Sequence, residues 1–147
     1  MEQISPIRPG TVNSDNTHQP YDVILVYEKK EAEHIINKLL HEEAIGLDIE
    51  TTGLDPLLDE IRLIQVSTTH NTYVFDMKHV SVSVLHPLLV SGPIKVIHNG
   101  KFDASFLYEA DGGAMPEPMY DTMITDQVLH HRGYARSLKV ITKEYLN

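Results

Sequence analysis

At 147 residues with 41% hydrophobic content, the chain is long enough for one domain with its own core and too short for two. It has no cysteine, which excludes a disulfide framework, a thiolate zinc site and a cysteine nucleophile. A formal net charge of −9 argues against holding nucleic acid through a basic surface, but leaves room for an enzyme whose bound cations supply the positive charge.

No apolar run approaches the ~20 residues of a membrane span and no signal peptide is visible, so a soluble cytoplasmic protein is expected. The nine histidines are scattered, without HxH or HExxH spacing. Residues 1–20, rich in Pro, Asn, Ser and Thr, read as a disordered leader. Val23–Tyr27 is a short β-prone run. Glu31–Glu43 places Ile35, Ile36, Leu39 and Leu40 on one helical face. Ala44–Glu50, Ile61–Ser67 and Thr72–Asp76 read as strands whose short links favour antiparallel neighbours. Val82–Val90 predicts a short helix in which Pro87 would sit better near an end. Ile94–His98 is then a further strand, parallel to Ala44–Glu50 because a helix intervenes. Helices are expected over Lys101–Glu109, Tyr120–His130 and Ser137–Leu146, the last with Ser137 as N-cap. The sum is an α/β mixed sheet flanked by helices, with its strand order open.

Asp48 and Glu50 are two apart in a strand, so both side chains leave one face, while Leu47 and Ile49 point the other way. Paired carboxylates repel unless a proton or cation compensates, and magnesium or manganese is the usual remedy. Alone, the pair fits a solvated acidic strand end better, since such triplets are common. Asp103 stands about one turn into the helix after Ile94–His98, where it would join that pair if the two strands are neighbours. Alone, it fits a helix capped by Asn99 with Asp103 complementing the dipole.

The combination is more specific. Ile45–Leu54 followed by Ile61–Gln65 resembles the first motif of the DEDD (DnaQ-like) exonucleases, the superfamily of the proofreading domain of DNA polymerase I and of ribonuclease D. Val96–Asp103 resembles its second motif, and Tyr120–Ile124 the segment that follows in the polymerase I branch. The resemblance covers residues 21–147. It implies a ribonuclease H-like fold in which Asp48, Glu50 and Asp103 are catalytic and hold two divalent ions, Mg²⁺ or Mn²⁺, ~3.5–4 Å apart. It further implies that Asn99 holds the strand end, that Leu54 packs against the terminal base and that Thr51 lies near the terminal nucleotide. Gln65 and Asp121 are expected in supporting roles.

The family's fourth acidic residue, with its Tyr or His partner, belongs to a third motif. Ser137–Ile141 resembles the segment leading towards it, and neither Asp126 nor Glu144 matches the missing position. Three readings follow: a fragment truncated at the C-terminus, which is favoured; a short form of weak or no activity; or a site completed by a second subunit. The expected function is release of nucleoside monophosphates from a DNA 3′ end, with RNA as the other candidate substrate and a polymerase module as a candidate neighbour in a longer parent protein. The alternative is a non-catalytic module that binds nucleic-acid ends or a protein partner and keeps only the fold.

Overall fold

The computed structural model describes residues 22–131 and 133–146. The expected leader therefore lies outside the described residues. Six strands form one mixed sheet in the order β1-β4-β3-β2-β5-β6. They are β1 (Asp22–Val26), β2 (Ala44–Thr51), β3 (Ile61–Ser67), β4 (Asn71–Asp76), β5 (Ile94–Ile97) and β6 (Met119–Asp121). The helices are α1 (Lys29–Leu39), α2 (Val82–Val90), α3 (Gly100–Ala110), α4 (Thr122–Leu129) and α5 (Leu138–Leu146).

The antiparallel meander read from the short links is present: β2 pairs with β3 and β3 with β4. β5 lies parallel to β2, as the intervening helix requires, and β1 joins the other side of the meander, parallel to β4. The α/β ribonuclease H-like expectation is met.

Besides α1, which spans Lys29–Leu39 where the expectation ran from Glu31 to Glu43, two features differ from the sequence reading. The segment expected to be helical from Tyr120 begins instead as β6, whose Met119, Tyr120 and Asp121 pair with Lys95, Val96 and Ile97. The helix starts only at Thr122, because the Asp121 side chain accepts hydrogen bonds from the Met123 and Ile124 amides as its N-cap. Pro87 stays inside α2, where it removes one helical hydrogen bond. Leu85, Leu88 and Leu89 are fully buried on that helix, and each such side chain contributes roughly 1.5–3 kcal/mol, enough to hold the helix through the proline.

Alternation along β2 divides the molecule. Ile45, Leu47 and Ile49 face one core with Ile64 and Val66 of β3, Phe75 of β4 and apolar residues of α1, α2 and α3. Asp48 and Glu50 leave the other face and are exposed. Lys95 is fully buried beside this frame, and burial pushes its pKa down to about 8. Its ammonium donates to the Ser91 carbonyl at 2.6 Å and the Glu117 carbonyl at 2.7 Å, tying together the links that lead into β5 and β6. On α4 and α5, Ile124, Val128, Leu129, Leu138 and Leu146 remain exposed. No helix among the described residues is long and apolar enough to cross a membrane.

Candidate active site

The ladder between β2 and β5 ends at Gly46↔Val96, although β2 runs on to Thr51. Beyond that point, among the described residues, β2 has no strand neighbour on this side. α3 supplies a substitute: Asp103, buried in its first turn, accepts the Ile49 amide on Oδ1 at 3.2 Å. The carboxylate thus takes the hydrogen bond that a longer β5 would have made, and it stands beside Asp48 and Glu50 for that reason. The site lies at the carboxyl ends of parallel strands, where open α/β sheets bind ligands. Register slips between Glu50 and Thr51, a bulge that re-aims the chain as it leaves β2.

The electrostatics follow from this crowding. Burial raises the Asp103 carboxyl to about 6, opposed by backbone hydrogen bonds and reinforced by the charges of Asp48 and Asp121. Asp48, although exposed, is also raised, by desolvation on its protein side and then by the Glu50 charge. Carboxylates that raise one another's pKa form an uncompensated negative centre, and a divalent cation relieves it. The donor chemistry fits a hard ion, since magnesium accepts one or two carboxylates and completes its shell with water and phosphate. Among the described residues, no three Asp, Glu, His or Cys side chains stand close enough together to hold a metal ion as they lie.

The remaining expected residues divide. Leu54 and Asn99 line one cavity of about 280 Å³ with Pro56, Lys101, Phe102 and Phe106. Thr51 does not line it, and its hydroxyl donates to the Gly53 carbonyl at 2.6 Å. Gln65 sits opposite Asp48 in the β2–β3 register. Asp126 and Glu144 both engage the Arg136 guanidinium, which ties α4 to α5.

Residues 23–147 match a family described as 3′-5′ exonuclease. The chain belongs to the 3′-5′ exonuclease family. This exonuclease domain is 38% identical over 102 residues to DNA polymerase I of Aquifex aeolicus (strain VF5), a match covering 69% of the chain and 16% of the polymerase. Its fold is shared with Brucella melitensis NrnC with bound Mg²⁺, at 24% identity and a TM-score of 0.65 over 84% of this chain and 59% of that one. Escherichia coli RNase D, an exoribonuclease involved in structured RNA processing, has the same fold at 21% identity and a TM-score of 0.74, over 87% of this chain and 34% of that one. The chain therefore spans less than two thirds of each of these relatives.

Sequence reasoning underrated one part of the exonuclease domain, the junction of β6 and α4. Asp121 accepts from the Asn99 and Gly100 amides as well as from its own helix. Thr122 Oγ1 lies 3.0 Å from His98 Nδ1 and donates to the Ile97 carbonyl at 3.2 Å. The legible signal was an Asp immediately before Thr-Met-Ile, an N-cap pattern that places a strand end, not a helix interior, at Asp121.

Proposed function

We propose that this domain is a metal-dependent 3′→5′ exonuclease that releases nucleoside monophosphates from DNA, acting as part of a longer protein. The observation that carries the reading is Asp103 reaching the Ile49 amide, which brings a carboxylate from a distant segment to the carboxyl end of β2, within electrostatic reach of Asp48. Asp48, Glu50 and Asp103 would hold two Mg²⁺ or Mn²⁺ ions. Bound ions of this kind lower the pKa of water and stabilise the charge on a leaving oxygen. Leu54, exposed at the mouth of the cavity, offers an apolar surface to the terminal base, and the Asn99 amide offers hydrogen bonds to the strand end. Thr51 has its hydroxyl proton committed to Gly53, so its oxygen and backbone are what remain to meet the terminal nucleotide.

The relationship to DNA polymerase I at 38% identity supports DNA over RNA and a polymerase module in the parent protein. The cytoplasm is the compartment this reading assigns. The test is hydrolysis of a 5′-labelled single-stranded oligonucleotide with Mn²⁺, as DNA and as RNA, by this domain in its parent protein. Stepwise shortening from the 3′ end should be lost in Asp48→Ala, and full activity in that variant would sink the assignment. That no three such side chains among the described residues stand close enough to hold a metal ion as they lie favours a second reading, a non-catalytic module for nucleic-acid ends or a protein partner. That reading would show end binding untouched by Asp48→Ala and no shortening at all.

A further inference from the structure

We propose that Asp121 is a positioning residue of this site, its carboxylate clasping the first turns of α3 and α4 and so setting where Asp103 and Asn99 stand. Oδ2 accepts the Gly100 amide at 2.7 Å, and Oδ1 accepts the Asn99 amide at 3.3 Å. Oδ1 also accepts the amides of Met123 at 2.8 Å and Ile124 at 3.2 Å. One carboxylate thus serves the unsatisfied donors of two helix N-termini, each of which carries partial positive charge.

A cap for α4 alone needs one oxygen. The other is committed to a helix more than twenty residues away in sequence, the one that bears Asp103. That helix has no other side-chain cap: Asn99 adopts a left-handed conformation (φ 60°, ψ 44°) and its side chain makes no capping bond. Its backbone amide is held by Asp121 instead, which leaves the Asn99 side chain exposed beside Leu54. The start of α3 packs tightly against side chains of β5 and β6, since a Cβ on Gly100 would lie 3.1 Å from Met119 Sδ and 3.3 Å from Ile97 Cγ2. Thr122 fastens the same joint through Ile97 and His98. Asp103 is one turn along this anchored helix, and its hold on the Ile49 amide depends on the helix start staying in place.

The inference rests on the exonuclease reading only for its metal readout. Asp121→Ser keeps a hydroxyl to cap α4 but is too short to reach Asn99 and Gly100, and Asp121→Asn is the companion variant if the first does not fold. Leu88→Ala, in the α2 core, is the control for simple destabilisation. Amide hydrogen exchange is followed at Ile49 and at Val66, and Mn²⁺ affinity by titration, at a temperature where circular dichroism shows every variant folded. Losing these charge-assisted bonds should speed Ile49 exchange and weaken Mn²⁺ binding by about tenfold each, while Val66 behaves as in the control. Ile49 exchange and Mn²⁺ affinity equal to the control would overturn the proposal. If the unsubstituted domain binds no Mn²⁺, the exonuclease reading fails, and Ile49 exchange alone decides the role of Asp121.

Discussion

Asp103 carries the largest electrostatic conflict in the site. In an unfolded chain its carboxyl titrates near 3.8, while burial and the neighbouring Asp48 and Asp121 charges raise it to about 6 in the fold. Between those values the folded state holds a proton that the unfolded state has released. Stability from this group is therefore complete below about pH 3.8, falls as pH rises through about 6, and stays lost above it. Asp103→Asn keeps an oxygen for the Ile49 amide and removes the charge. Without metal it should stabilise the fold at neutral pH by on the order of 2 kcal/mol, seen as a higher melting temperature, and flatten the pH dependence between about 4 and 6 in thermal unfolding. A slope unchanged in that variant would assign the effect to another group. The same substitution should end metal-dependent hydrolysis, so stability and activity move in opposite directions. At this scale much of the site was legible. The same-face placement of Asp48 and Glu50 follows from strand period alone, and Asp103 was found from its distance past an apolar strand. Asp121 was underrated, because two of its four backbone partners, Asn99 and Gly100, lie more than twenty residues earlier, in a segment that no local pattern joins to it.

Among the elements, the β2–β3 loop presents Leu54 to the cavity and is held by a polar knot. Thr52 exchanges backbone and hydroxyl bonds with Glu60, and Asp59 accepts the Asp55 amide at 3.0 Å. Gly53 leaves room for that knot: a Cβ there would lie 2.4 Å from Asp59 Oδ2. Gly53→Ala should break the Asp59 contacts at a cost of about 1–2 kcal/mol, seen as a lower melting temperature. Steady-state assays should show KM for the oligonucleotide rising more than kcat falls, because the role proposed for Leu54 of this loop is contact with the terminal base and not with the scissile bond. An unchanged KM would separate the loop from substrate binding. The antiparallel meander was readable because short links leave adjacent strands few alternatives. β6 was misread as helix because three residues of strand are stabilised only by their ladder with β5, twenty-odd residues earlier in the chain.

Across the whole molecule, a net charge of −9 and an acidic sheet edge mean that the metal-free protein works against its own charge. Divalent ions that bind only the folded state should therefore stabilise it. At a hundredfold excess over the dissociation constant, one site adds about 2.7 kcal/mol, or roughly 5–11 °C in melting temperature for a domain of this size. Mn²⁺ should give this shift in thermal unfolding, and Asp48→Ala should lose it. Equal shifts in both proteins would place the ion elsewhere.

The amino-acid sequence by itself determined the two carboxylates on one face of β2, the acid one turn into the following helix, and the order of the motifs, because strand and helix periods are local properties of the chain. Only the tertiary structure decided that β2 outruns β5 and that Asp103 fills the vacated pairing position. It also decided that Asp121 joins the starts of two helices. These depend on register and strand order, which arise from contacts between distant segments and leave no mark in any short stretch of sequence.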